Sequence, residues 1–125
     1  MDRRVFTPFG ARRSLVRVRP LAEGLRRLWR ELEQRRPPQI RGDQPVDPVY
    51  FAGLSRLREI LARLQEAGVR VRDPRSARIE FPARRLGRPV WLCWHPDQPT
   101  VGSWCDPGDG SPPRPIDEDG PWDSH

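Results

Sequence analysis

Apolar residues return along the first third of the chain at helical spacing. Leu15, Val18, Ala22, Leu25, Trp29 and Leu32 stand three and four apart, the seam of an amphipathic helix that packs on a partner. Leu21 and Leu28 widen it, while Arg12, Arg13, Arg19, Arg26, Arg27, Arg30 and Glu33 fall largely on the other sides. Thr7-Pro8 supplies the start, because the hydroxyl caps free N–H groups and proline suits the first helical position. Pro37-Pro38 supplies the stop, so the helix is predicted over 8–36. Pro20 removes one backbone donor and crowds the preceding turn, which predicts a kink or break near Arg17–Arg19. A second seam, Tyr50, Leu54, Leu57, Leu61 and Leu64, predicts a helix over 48–67, opened by Asp47-Pro48 and closed by Gly68 in the left-handed conformation. Two such coiled-coil-like seams joined by a loop bury each other as an antiparallel hairpin.

After Gly68 the period changes to two. Val69 and Val71 alternate with Arg70 and Arg72, and Ile79 and Phe81 with Arg78 and Glu80, which is the pattern of strands with one wet face. Val90–Trp94 is apolar on both faces and reads as the central strand. Strands are expected at about 69–72, 77–82, 89–95 and 100–104, with turns at Asp73–Ser76, at Arg84–Arg88 and at Pro96–Pro99. Pro82 is expected to end or bulge its strand, and Gly102 to mark a bulge or close approach. The fold class is therefore α+β: an antiparallel helical hairpin packed on a small three- to four-stranded antiparallel sheet. Residues 1–106 form one domain. Residues 107–125 form an acidic Pro/Gly-rich tail, expected to be extended or disordered, with Ile116 and Trp122 as its only anchors.

Charge is unevenly spread. All 23 basic residues are arginine. Residues 1–95 hold 22 of them against ten acids, whereas residues 96–125 hold one arginine against seven acids. A basic body with an acidic tail can bind anions, or bind its own tail. Interleaving with acids makes nucleic acid the lesser expectation. No apolar run approaches the ~18–20 residues that cross a bilayer, and residues 1–15 lack a signal-peptide core. Two cysteines make no disulfide framework. These features lead us to expect a cytoplasmic protein with reduced thiols and no membrane association.

Short matches recur in order: Phe6-Thr7, Arg19-Pro20-Leu21, Gly68-Val69-Arg70-Val71-Arg72-Asp73, Phe81-Pro82-Ala83, Gly87-Arg88-Pro89-Val90, Leu92-Cys93-Trp94 and Trp104-Cys105-Asp106. Over roughly residues 5–117 the chain resembles a prokaryotic family known as domain of unknown function 2203. The resemblance implies an uncharacterised conserved prokaryotic protein with no accepted activity. Gly10 replaces the family's usual glutamate three residues after the threonine, which removes one half of a reciprocal capping box. Cys105 stands where the family often has histidine.

Few residues suggest chemistry. Cys93 and His95, two apart on a strand, share a face, and Cys105 could join them from the next strand as a zinc set. The spacing matches no zinc-finger pattern, and no cofactor is implied. A cysteine–histidine nucleophile is disfavoured because those two side chains stand roughly 7 Å apart along a strand. Gly-rich phosphate loops, Gly-x-Ser-x-Gly and paired carboxylates are missing from the sequence, which argues against an enzyme. Arg41-Gly42-Asp43 is a three-residue adhesion match without context. The remaining reading is a non-enzymatic interaction or scaffold protein. It would use an exposed sheet edge, with Arg84, Arg85 and Arg88 beside Trp91 as a rim, for a protein partner or self-association. The alternative is an anion or nucleic-acid binder.

Overall fold

A computed structural model describes residues 5–35, 47–108 and 110–124. Helix α1 spans Pro8–Arg35 and helix α2 spans Pro48–Glu66. Both starts follow from their caps. Gly10 N donates to Thr7 Oγ1 at 3.0 Å, so the threonine half of the capping box persists without its glutamate. Val49 N donates to Asp47 Oδ1 at 3.0 Å. Gly68 closes α2 with φ +86°, as a helix-ending glycine can. The loop of the hairpin, with Arg41-Gly42-Asp43, lies outside the described residues.

The seam of α1 is where its spacing places it, with one change: Leu28 is buried and Trp29 only half-buried. Trp29 Nε1 reaches Glu33 Oε1 at 3.1 Å, which needs the ring near solvent. α1 continues through Pro20 without a break. Val16, whose carbonyl loses its donor there, and Pro20 both lie on the exposed side; water can serve that carbonyl. On α2 the buried Gly53 lies against α1, where an added Cβ would come within 2.6 Å of Leu32 Cδ2. Phe51 is left exposed.

Five strands follow: β1 Arg70–Asp73, β2 Arg78–Arg85, β3 Arg88–Trp94, β4 Ser103–Cys105 and β5 Arg114–Pro115. They form one antiparallel meander in the order β1-β2-β3-β4-β5. This is one strand more than the upper bound of the sequence reading. The turn between β2 and β3 is tighter than expected, because Arg85 pairs with Arg88 across Leu86 and Gly87. Both central residues have positive φ, 51° and 76°, the geometry that matches strand twist in a two-residue hairpin.

Alternation decides the faces. Ile79, Phe81, Ala83, Val90, Leu92, Trp94 and Trp104 join Leu15, Val18, Ala22 and Leu25 in one core. The hairpin thus covers one sheet face, and we call the other the outer face. Arg19 bonds the carbonyls of Pro96, Gln98 and Pro99 and pins the β3–β4 loop to α1.

Pro82 neither ends nor bulges β2. The carbonyl of Pro82 accepts from Phe6 N at 2.7 Å, so it faces outward beyond the end of β1. The N–H and C=O of a residue leave a strand on the same side, so the missing donor also falls on an edge, where proline is tolerated. The rest of that edge is covered too. Asp123 N donates to Arg84 O at 2.9 Å, and Trp122 bridges to Arg85. The exposed edge suggested by the sequence is therefore closed along this part of β2, a common protection against strand pairing.

The folded unit runs past residue 106. Ile116 N donates to Gly102 O at 3.0 Å, and Ile116 and Trp122 pack against the core. Arg85 donates to Asp117 through Nη1 and Nη2 at 2.9 and 3.0 Å. Its cationic carbon also stands 4.9 Å from the ring centres of Trp104 and of Trp122. Arg12 holds Glu118 the same way, at 2.8 and 2.6 Å. The acidic tail is docked on the basic body. No helix of the described residues is long and apolar enough to cross a membrane.

Candidate functional site

The strand register builds two rows across the outer face. One runs Arg70, Glu80, Cys93, Ser103, and the next runs Pro82, Trp91, Cys105. A register shift between Val71 and Asp73 locally distorts β1 at Arg72. The result is a groove of about 350 Å³ whose lining includes Arg70, Arg72, Arg78, Glu80, Trp91 and Cys105. Its wall is Asp106, Pro107, Gly110, Ser111 and Pro113, the start of the tail.

Glu80 is the one charged residue buried among those described, at 4% exposure. Arg70 satisfies it through Nε at 3.0 Å and through Nη2. That guanidinium also lies 3.9 Å from the Trp91 ring centre, so β1, β2 and β3 are tied together by one side chain. Arg78 Nη2 stands 3.8 Å from Cys105 Sγ. Burial pushes the Cys93 thiol up to about 12, its contact with Cys105 adding to the effect and Arg78 opposing it. Cys93 is therefore a neutral, buried thiol at physiological pH and a poor nucleophile.

Of the proposed metal set, Cys93 and Cys105 are drawn to one face and His95 is not. β3 ends at Trp94, so strand alternation does not carry to 95, and Gln98 N donates to His95 O at 2.9 Å in a turn. The ring of His95 faces Asp97, with Nδ1 3.8 Å from Oδ2. Among the described residues no three His, Cys, Asp or Glu are placed to hold a metal ion. The proposed arginine rim does not assemble around Trp91 either. Arg85 is committed to Asp117 and two tryptophans, and Arg88 pairs with Asp106 at 3.2 Å. Arg84 sits on the β2 segment that the tail covers. Trp91 alone of that set lines the groove.

The arginines that do line it are Arg70, Arg72 and Arg78, which alternation marks only as a wet face. The available signal was that the polar positions of two successive strands, β1 and β2, fall on one side of one sheet. Seeing it requires the register. Comparison with known proteins returns no curated protein and no solved structure that matches. A family model described as "Uncharacterized conserved protein (DUF2203)" does match residues 4–114, so this chain belongs to that family.

Proposed function

We propose that the chain is a small non-enzymatic interaction protein that receives an anionic partner in the outer-face groove. The observation that carries this reading is the company around Trp91: three arginines against two carboxylates, Glu80 and Asp106, the second already paired with Arg88. Like charges gathered on neighbouring strands repel, and a bound anion relieves that repulsion. Among the described lining residues no histidine stands beside the Cys105 thiol as a base, and Cys93 behind it is neutral. We place the protein in the cytoplasm of a prokaryote, where both thiols stay reduced. Single-stranded nucleic acid is the weaker reading. It needs open aromatic faces, and Arg70 already covers one face of Trp91.

Retention on immobilised heparin in low salt tests the reading. The Arg72→Ala/Arg78→Ala variant should elute at lower salt than Arg17→Ala/Arg58→Ala, which removes the same charge from exposed helix positions. Equal elution of the two variants would mean that only net charge matters, and would remove the groove from the account.

A further inference from the structure

The geometry points to a small phosphomonoester dianion as the occupant of the groove, gripped by Arg72 and Arg78 together. This rests on the anionic reading above and goes further by naming the ligand class. Charge accounting supplies the first support. Arg70 is neutralised by Glu80 and Asp106 by Arg88. Neither Arg72 nor Arg78 forms a close ion pair with a described residue; Arg78 touches the two thiols, Cys105 at 3.8 Å, and feels the Glu80 carboxylate from further away. Among the described residues, Arg70, Arg72, Arg78 and Arg88 against Glu80 and Asp106 leave a net of two positive charges, which match a dianion rather than a monoanion. Cys93 adds no negative charge to compete, since its thiol stays protonated.

Size supplies the second. A volume of about 350 Å³ lies at the small end of ligand pockets, which run from roughly 300 to 1,000 Å³. The tail residues Pro107, Gly110, Ser111 and Pro113 limit the groove on one side, so it suits a compact molecule better than a polymer that must pass through. Guanidinium forks match phosphate oxygens in pairs. Arg70 cannot supply such a fork, because Glu80 and Trp91 already hold it. It serves as a fixed floor, leaving its two neighbours to bind. Pro107, Pro113 and the free edge of Trp91 offer apolar contact to the organic part of the ester.

Unfolding midpoints of the full chain with phenyl phosphate and phenylsulfonate separate the possibilities, because both carry the same ring. Phenyl phosphate should raise the midpoint and phenylsulfonate, a monoanion, should raise it far less. The phosphate effect should grow from about pH 5.5 to about pH 7.5, as the second proton leaves near pH 6. Arg72→Ala and Arg78→Ala should each weaken phenyl phosphate by about tenfold or more, the scale of a lost charge-assisted pair. Arg17→Ala should leave it unchanged. Arg72 is exposed and makes no described contact that folding needs, so its variant keeps the test sound if Arg78→Ala fails to fold. Equal stabilisation by the two probes, or indifference of both variants, overturns the ligand class. If heparin still separates the groove variant while phenyl phosphate does nothing, the docking reading survives and only the phosphomonoester falls.

Discussion

Arg70 and Glu80 should not be equivalent under mutation, although they form one ion pair. The Glu80 side chain keeps 5% of its surface exposed and that of Arg70 keeps 46%. Arg70→Ala leaves a carboxylate enclosed by β1, β3 and Trp91 with its partner gone. An uncompensated buried charge costs about 3–5 kcal/mol, and loss of the stacking on Trp91 adds about 0.5–1 kcal/mol. Arg78 still acts on Glu80 from further away and the groove admits some water, so the lower end applies, about 3 kcal/mol. Glu80→Gln keeps the shape and an acceptor oxygen, and the freed guanidinium can turn to water, so about 1 kcal/mol is expected. The double variant should then be more stable than Arg70→Ala alone, because the neutral amide at position 80 leaves no stranded charge. Urea unfolding followed by tryptophan fluorescence reads all four proteins, provided their slopes agree. Equal losses in the two single variants, or no recovery in the double, would refute the assignment of Glu80 as a charge that depends on Arg70.

Other outcomes follow from the same contacts. Hydrogen bonds from Arg85 hold the Asp117 carboxyl below its ordinary value, and those from Arg12 do the same for Glu118. Their contribution to docking is therefore present above the unfolded values of 3.8 and 4.5 and fades as pH falls through the lower folded ones. The Trp122 indole N–H, bonded to Asp117 O at 2.9 Å, should lose its folded NMR shift below about pH 4, ahead of the core resonances; loss in step with global unfolding would contradict this. Gly24→Ala meets only ordinary contact, at 3.7 Å from Ile60 Cδ1, so it should raise stability by about 1 kcal/mol and the melting midpoint by about 4 °C. Gly53→Ala should show no such gain, because its Cβ displaces Leu32. Cys93 should resist a thiol-specific reagent in the native state while half-buried Cys105 reacts first, and equal rates would show that the face is not packed as described.

The helices were legible because their signals are local. A cap, a proline at the first position and residues three and four apart each report on one turn of backbone. The failures arose where a partner decides. Gly53, which the seam of Tyr50, Leu54 and Leu57 does not include, meets Leu32 of α1, because close approach of two helices selects the smallest residue at the crossing. Leu28 displaced Trp29 because the indole N–H has Glu33 to satisfy at the surface. Pro20 and Pro82 looked like breakers, yet both lie where the lost donor is on an exposed side or an edge. The groove was hidden for a different reason. Arg70, Arg72, Arg78 and Glu80 each looked like a solvated position, and only pairing between strands gathers them around Trp91. Arg85 looked like a rim residue until the tail, whose aperiodic sequence carries no strand signal, supplied Asp117 and Trp122 to occupy it.

Chemical-shift mapping of arginine Nε–Hε and backbone amide signals during titration with phenyl phosphate tests the central claim most directly. The account predicts shifts concentrated at Arg70, Arg72, Arg78, Trp91 and residues 105–113, with the arginines on the solvent face of α1 unmoved. Shifts spread over the helical arginines, with the outer sheet face silent, would contradict it.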